Sequence, residues 1–239
     1  ACSLTCGAMH LVALIFLPVE VVGLENLPAK LERVVIVSNH QSTLDMAVMS
    51  YLWRLPFRVV FKHELMWYPG LGTAMWLAGY PSVKRSDRTS GHALIEQCKA
   101  EIAAGHNVLF FAEGTRKAEA VDAAVGAFKP GAFKVATESG AAILPCTISG
   151  ARRMFPAKGL PSFEYGRPRL VIHPLVSSAG KTVEKLMTEV HAIVTSGTRD
   201  VDLDGPATPA TPATPDTPAA PAGAAGGGAA TIDNSAKED

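Results

Sequence analysis

The chain has 239 residues, of which 48% are hydrophobic, with 22 Lys+Arg against 22 Asp+Glu. That length allows one large domain or two small ones and is ample to bury a hydrophobic core. A formal charge of zero argues against a nucleic-acid-binding protein, which would carry a clear basic excess. The net charge of zero is the sum of two unlike parts, because residues 205–239 have a net charge of −3 and residues 1–204 have a net charge of +3. The larger part therefore suits an anionic substrate or a membrane surface.

The first 18 residues contain no formally charged side chain, and Leu11 to Leu17 are apolar throughout. A transmembrane helix needs about 20 apolar residues, and this run is shorter and ends at Pro18 and Glu20. The run fits a remnant of a membrane anchor, an interfacial segment or a buried N-terminal element. Of these interpretations we favour membrane association for residues 1–18.

Apolar runs and helical periodicity alternate along the middle of the chain. Short, largely β-branched runs predict buried strands at residues 34–38, 58–61, 107–112, 142–148 and 169–173. Helical patterns occupy residues 89–104, 131–138 and 183–194. Strands that alternate with helices predict an α/β domain, a layered and mostly buried sheet flanked by helices.

The C-terminal stretch differs in composition from everything before it. Residues 205–239 contain six Pro, five Gly and eleven Ala, with a repeated Thr-Pro-Ala unit. Such a segment offers almost no large apolar side chain to offset the entropy of ordering. We predict a disordered tail over residues 205–239.

The four cysteines do not form a metal-binding or disulfide pattern. Cys2, Cys6, Cys98 and Cys146 contain no CxxC pair. We therefore expect no disulfide framework and no zinc site. Cys98 and Cys146 are predicted to be buried or idle thiols.

The first group of polar residues follows the strand at 34–38. It reads Asn-His-Gln-Ser-Thr-Leu-Asp, from Asn39 to Asp45. A His at the carboxyl end of a strand lies where α/β proteins bind ligands. If Ser42 or Thr43 caps a following helix, Asp45 falls in the first turn and can fold back towards His40. A carboxylate on one imidazole nitrogen fixes the tautomer and leaves the other nitrogen as a base. A capping turn with a surface His is the alternative.

Two further groups combine basic residues with a turn or an apolar surface. Phe111 to Arg116 reads Phe-Ala-Glu-Gly-Thr-Arg after the strand at 107–112, and an Arg fork suits phosphate or carboxylate. A polar turn with a surface salt bridge is the alternative there. Four charged residues lie within 84–88, after an apolar stretch at 65–79. This third group fits a solvated loop or a phosphate clamp, and residues 65–79 fit core or a bilayer interface.

The order of these motifs resembles the lysophospholipid/glycerolipid acyltransferase family, and most closely its 1-acylglycerol-3-phosphate acyltransferases. Residues 39–45 match the NHxxxxD block, 62–85 the second block, 111–116 the FPEGTR block and 143–150 a hydrophobic-Pro turn. Residues 128–134 resemble the FKxGAF segment. The match covers about residues 19–195, so residues 19–204 are expected to form the acyltransferase domain.

The resemblance implies transfer of a fatty acyl group from acyl-CoA or acyl carrier protein to the sn-2 hydroxyl of lysophosphatidic acid, which gives phosphatidic acid in phospholipid biosynthesis. His40 would be the general base and Asp45 would orient it. The residues implied to hold the substrate phosphate are Arg85, Glu113, Gly114, Thr115 and Arg116. Pro145 would shape an acyl or acceptor pocket. No metal or bound cofactor is implied, because acyl-CoA is a co-substrate, and the setting would be an endomembrane, plastid envelope or bacterial inner membrane.

Two positions depart from the family pattern. Ala112 replaces the usual Pro of the third block, which is expected to loosen the turn that aims Glu113 and Arg116. Pro130 stands where the family often has Lys or Arg, which removes one positive charge.

Three alternatives compete with this assignment. The acceptor could be glycerol-3-phosphate or a lysophospholipid with a larger head group. The chain could also be a catalytically silent lipid-binding membrane protein, although nothing structural obviously requires both His40 and Asp45. A serine hydrolase is disfavoured because the chain lacks a GxSxG elbow.

Overall fold

The computed structural model describes residues 17–28, 33–55, 57–67, 79–83, 88–114, 125–154 and 167–199, with single residues at 7, 10, 11, 13, 15, 72 and 75. For residues 88–90, 153 and 199 it describes the backbone alone. The chain divides into two units, Ala1–Ala207 and Thr208–Asp239. The second unit and the predicted tail at 205–239 lie outside the described residues.

A six-stranded sheet forms the centre of the first unit. The strands among the described residues are β1 (Glu20–Val22), β2 (Val34–Ser38), β3 (Phe57–Val59), β4 (Phe61–Lys62), β5 (Ser82–Val83), β6 (Asn107–Phe111), β7 (Ala142–Ser149) and β8 (Arg169–Ile172). The large sheet has the order β1-β8-β7-β2-β6-β3, and only the β7–β8 pair is antiparallel. All five residues of β2 are buried, as expected for an inner strand covered on both faces.

Helices cover both faces of this sheet. They are α1 (Asp45–Met49), α2 (Arg88–Ala103), α3 (Gly131–Ser139), α4 (Ala151–Met154) and α5 (Val183–Arg199). Val35 and Val37 of β2 face one core cluster with residues of α2, α3 and α5. Val34 and Ile36 face the other cluster, with residues of α1 and with Leu17. The predicted layered α/β fold is therefore confirmed. Within the part of the chain described here, no helix is both long and apolar enough to cross a bilayer.

The predicted strand at 58–61 is two strands. Val60 N donates to Leu109 O at 2.9 Å, which ends the pairing with β6. The next residue, Phe61, donates its N–H to Pro81 O at 3.1 Å, and β4 then pairs with β5 in a separate parallel ribbon. A continuous apolar run is thus divided between two sheets because its hydrogen-bond partner changes after one residue.

The thiols of Cys98 and Cys146 are both buried, as predicted. Burial, with a smaller contribution from the negative charge of Glu101, raises the pKa of Cys98 to about 12. Burial also raises the pKa of Cys146. Both groups therefore remain protonated at neutral pH and behave as small apolar side chains.

His173 joins the end of β8 to β7 and α5. Its Nε2 lies 2.8 Å from Thr147 Oγ1, which donates its own hydrogen to Val194 O at 2.8 Å. The hydroxyl must therefore accept from Nε2–H. A Cβ added at Gly197 would lie 2.9 Å from the same nitrogen, so α5 packs closely over the ring. Burial lowers the pKa of His173, because the charged form loses its hydration.

This histidine makes stability depend on pH. Its pKa in the folded state lies below that of the unfolded chain, so the unfolded state binds more protons as the pH falls through about 6.5. We expect the free energy of unfolding, measured with urea, to decrease between pH 7.5 and 5.5. One proton contributes at most about 1.4 kcal/mol per pH unit to the slope. His173→Gln should flatten that dependence, and an unchanged slope in this variant would contradict the assignment.

Candidate active site

The carboxyl ends of two neighbouring parallel strands form the candidate site. Ser38 at the end of β2 pairs in register with Phe111 at the end of β6. Ala112 N donates to Ser38 O at 3.0 Å and extends that pairing by one residue. The turns that carry His40 and Glu113 therefore start side by side at one edge of the sheet. This edge is where open α/β sheets bind ligands.

Asp45 holds the His40 turn through one oxygen atom. Its Oδ2 lies 2.7 Å from His40 Nδ1 and accepts the backbone N–H groups of Gln41 at 2.6 Å and Ser42 at 3.0 Å. The side chain of Asp45 is fully buried. Three donors that converge on one oxygen fix the orientation of this buried carboxylate.

The helix after this turn begins without a side-chain cap. The predicted cap was Ser42 or Thr43, but the residue before the first helical residue is Leu44, which forms no side-chain capping bond. Ser42 Oγ instead accepts the N–H of Leu44 at 3.1 Å. Asp45 is the first residue of α1, where the positive end of the helix dipole stabilises its carboxylate.

The imidazole of His40 is held so that one nitrogen remains available. Its Nδ1 faces Asp45, and its ring stacks on Phe111 with centroids 4.3 Å apart and planes 20° apart. The side chain is 21% exposed. A proton on Nδ1 for the carboxylate leaves a lone pair on Nε2, which can accept a proton from a bound hydroxyl.

Asn39 fastens the start of the same turn to β7. Its Nδ2 donates to Ile148 O at 2.8 Å, and its Oδ1 accepts Ile148 N at 2.8 Å. Both bonds are buried. The amide thus completes the backbone pairing of β7 at a point where β2 has ended, which explains why an amide stands before His40.

Glu113 and Gly114 lie on the neighbouring turn. The carboxylate of Glu113 accepts His40 N at 2.9 Å on Oε1 and Gly126 N at 2.9 Å on Oε2. Gly114 has a φ of 69°, in the left-handed region that favours glycine. A Cβ added there would lie 2.9 Å from the Cδ, Cε and Nζ atoms of Lys129. The Lys129 side chain therefore lies over this glycine.

Two of these contacts were not predicted from the sequence. Lys129, next to the Pro130 that lacks the family's usual charge, supplies a cation beside Gly114. Lys129 belongs to the FKxGAF-like segment at residues 128–134, and this motif is the feature of the sequence that indicates it. Ala112 uses the N–H that a Pro would lack to bond Ser38, and its carbonyl accepts Lys129 N at 2.8 Å. These two bonds restrain the turn that the missing Pro was expected to loosen.

The other predicted site residues fall into two groups. Arg85, Thr115 and Arg116 lie outside the described residues. Pro145 is buried inside β7, opposite Val37 of β2. Pro145 lies three residues before Ile148, the residue that Asn39 bonds, and three residues span about 10 Å along a strand. The structure therefore brings together His40, Asp45, Glu113 and Gly114, and it places Pro145 deeper in the sheet.

This fold and this edge define an α/β domain with a hydrogen-bonded His–Asp pair at the carboxyl ends of its parallel strands. The family model described as Acyltransferase matches residues 18–149. A 1-acyl-sn-glycerol-3-phosphate acyltransferase of Chlamydomonas reinhardtii is 34% identical over 81% of this chain and 56% of its own length. The alpha form of that enzyme from Mus musculus is 31% identical over 82% of this chain and 69% of its own length. The chain belongs to the acyltransferase family, among the 1-acyl-sn-glycerol-3-phosphate acyltransferases.

The comparison of folds agrees with the α/β architecture described above. The crystal structure of the 1-acyl-sn-glycerophosphate acyltransferase PlsC from Thermotoga maritima superposes with a TM-score of 0.66. The two chains are 24% identical, and the match covers 82% of this chain and 78% of the other. A chloroplastic relative from Arabidopsis thaliana is 35% identical over 66% of this chain. The chain spans about half the length of the plant and algal relatives it matches.

Substitution of Asn39 tests the hydrogen bonds that hold the His40 turn against β7, and this test does not depend on activity. Asn39→Asp places a carboxylate oxygen against the carbonyl of Ile148, where Nδ2 now donates. We expect this variant to lose about 3 kcal/mol of unfolding free energy, because a buried acceptor meets another acceptor. Urea denaturation at pH 8 measures the loss. Asn39→Ala, which removes both bonds without adding charge, should lose less, and equal losses would contradict the proposed repulsion.

Proposed function

We propose that this chain transfers a fatty acyl group from acyl-CoA, or from acyl carrier protein, to the sn-2 hydroxyl of lysophosphatidic acid, with phosphatidic acid as product. The observation that carries the proposal is the His40–Asp45 pair at 2.7 Å, in a turn that lies within the family match. The names of the relatives from alga, plant and mouse support the choice of acceptor.

The geometry supports a direct transfer in which His40 is the general base. Nε2 takes the proton of the acceptor hydroxyl while the hydroxyl oxygen attacks the thioester carbonyl. Asp45, bonded to Nδ1, stabilises the imidazolium that forms. When the tetrahedral intermediate collapses, the carbon–sulfur bond breaks and the imidazolium returns the proton to the leaving thiolate. The proton balance closes without an acyl-enzyme.

The anionic end of the acceptor requires positive charge near the same edge. The resemblance implies Arg85, Glu113, Gly114, Thr115 and Arg116 as phosphate-binding residues. We propose that four of these five hold the phosphate, whereas the carboxylate of Glu113 accepts backbone N–H groups instead. Lys129, whose ammonium lies over Gly114, adds a cation to this group. Pro145 is proposed to shape the acyl or acceptor pocket from within β7. The proposed reaction requires no cofactor, because the acyl donor is a co-substrate.

A membrane surface is the proposed partner, and the N-terminal segment supplies apolar side chains for it. The helical residues Leu11 and Ile15 are 63% and 68% exposed, whereas Ala13 and Leu17 are buried. Positions four apart lie on the same side of a helix. One side of this segment therefore packs on the protein, and the other offers apolar surface to lipid.

The turn at residues 51–54 extends that surface. The ring of His10 stacks on Trp53 at 5.9 Å and meets Tyr51 edge-on at 4.7 Å. Trp53 is 43% exposed, and the guanidinium of Arg54 lies 5.4 Å from its ring centroid. An exposed indole beside a cation suits the interface of an anionic bilayer. We propose a membrane-associated location, and the chloroplastic names of two plant relatives favour the plastid envelope.

Trp53 provides a direct test of the membrane surface. We expect Trp53→Ala to weaken binding to phosphatidylglycerol-containing vesicles about five- to tenfold, because a large apolar side chain no longer leaves water. Co-sedimentation with the vesicles measures the change. Trp53→Phe, which keeps an aromatic ring, should retain most of the binding. Equal binding by the alanine variant and the unmodified protein would contradict a lipid contact at this turn.

Product analysis by mass spectrometry tests the reaction itself. The protein is incubated with a defined acyl-CoA and lysophosphatidic acid, and phosphatidic acid is the expected product. His40→Ala should lower kcat about 1000-fold, because general-base catalysis contributes about 10²–10⁴. Thermal unfolding of the same variant provides the folding control. Unchanged turnover in His40→Ala would refute the general-base role.

The same assay separates the alternatives when the acceptor is varied. Preference for glycerol-3-phosphate or lysophosphatidylcholine over lysophosphatidic acid would replace the proposed acceptor and keep the reaction class. No acyl transfer to any acceptor, together with vesicle binding, would favour a silent lipid-binding protein.

A further inference from the structure

Each oxygen of the Glu113 carboxylate accepts a backbone N–H group. Oε1 accepts the N–H of His40 and Oε2 accepts the N–H of Gly126, each at 2.9 Å. The residue is 7% exposed. A carboxylate that accepts hydrogen bonds from the backbone has no proton to donate to a phosphate, and its negative charge repels that phosphate. Its contacts therefore point to a different role from that of the Gly114 turn beside it.

Burial of this charge requires such bonds. A buried carboxylate is costly unless charged hydrogen bonds compensate for lost hydration, and two backbone N–H groups provide them. The bonds join two segments that are distant in sequence, the turn after β2 and residues 125–129. The second segment is itself fixed, because Lys129 N donates to Ala112 O at 2.8 Å and Gly126 O lies 3.2 Å from His191 Nε2. Glu113 thus ties the His40 turn to an anchored part of the protein.

His40 is consequently held at three points. Glu113 holds its backbone nitrogen, Asp45 holds Nδ1, and Phe111 stacks on the ring. We propose that Glu113 is a positioning residue, which fixes the backbone of His40 so that Nε2 points at the acceptor hydroxyl. The inference rests on the proposed acyl transfer for its kinetic consequence, although the contacts themselves do not depend on it.

Steady-state kinetics distinguish this role from phosphate binding. In Glu113→Ala we expect kcat to fall about 100-fold, since a displacement of the reacting group by about 1 Å has that effect. The KM for lysophosphatidic acid should stay within about twofold of the unmodified value. Glu113→Gln keeps one acceptor oxygen, so its kcat should lie between those of the alanine variant and the unmodified protein. A raised KM with kcat retained would overturn the proposal.

A matched control variant removes a glutamate charge from a different part of the protein. Glu138 on α3 is 45% exposed and pairs with Lys99 at 3.0 Å, away from the His40 turn. Glu138→Gln should leave both kcat and KM unchanged. A loss of kcat in this control equal to that in Glu113→Gln would assign the effect to charge in general and overturn the positioning role.

A measurement independent of activity separates this inference from the proposed function. Nitrogen-15 NMR of the imidazoles reports which ring nitrogen carries the proton, and the His40 signals are identified by their loss in His40→Ala. We expect Glu113→Ala and Glu113→Gln to mix the tautomers of His40, and Asp45→Asn, which alters the carboxylate that contacts Nδ1, should do the same. His40 signals identical to those of the unmodified protein would overturn the proposal. If no acceptor is acylated, the proposed function fails while altered His40 signals still support positioning. If the alanine variant does not fold, Glu113→Gln decides.

Discussion

The site depends on a single buried oxygen atom. Asp45 Oδ2 receives the imidazole of His40 and the backbone N–H groups of Gln41 and Ser42 within 3.0 Å. The same contacts shape the turn and orient the ring, so the local backbone and the orientation of the imidazole cannot vary separately. The six-residue loop at 39–44 can therefore keep the imidazole aligned without a side-chain helix cap, because the first residue of α1 is itself the anchor.

The sheet determines where this turn can lie. β2 stands between β6 and β7, and side chains from the turns after β2 and β6 continue the pairing beyond the strand ends. Asn39 bonds the backbone of Ile148 on one side, and Glu113 bonds the backbone of His40 on the other. Each contact replaces a strand-to-strand hydrogen bond at the edge where the ladder stops. The rigidity of the sheet is thereby carried two residues further, to the imidazole.

Much of this arrangement was predictable from the sequence, and the remainder was not for physical reasons. Continuous apolar runs identified the inner strands because both of their faces are covered, and the five-residue spacing of His40 and Asp45 indicated their contact. The division of the run at Val60 was not visible, because a change of hydrogen-bond partner leaves no trace in hydrophobicity. The backbone contacts of Glu113 were missed for a related reason. A sequence motif gives residue types, whereas the choice between a substrate and a backbone N–H depends on tertiary distances.

The arrangement of charge gives the neutral composition a more specific meaning. Asp45 and Glu113 are both buried, and Oδ2 of Asp45 and both oxygens of Glu113 accept hydrogen bonds from within the protein. Lys129 instead lies at the surface of the Gly114 turn. The carboxylates therefore lie beneath His40, where they would stabilise the imidazolium of the proposed mechanism, and the Lys129 ammonium lies outward, where the proposed anionic acceptor would approach. Acidic and basic side chains cancel in the net charge of the chain, yet their separate positions would favour two successive steps of the proposed reaction, acceptor binding and then proton abstraction.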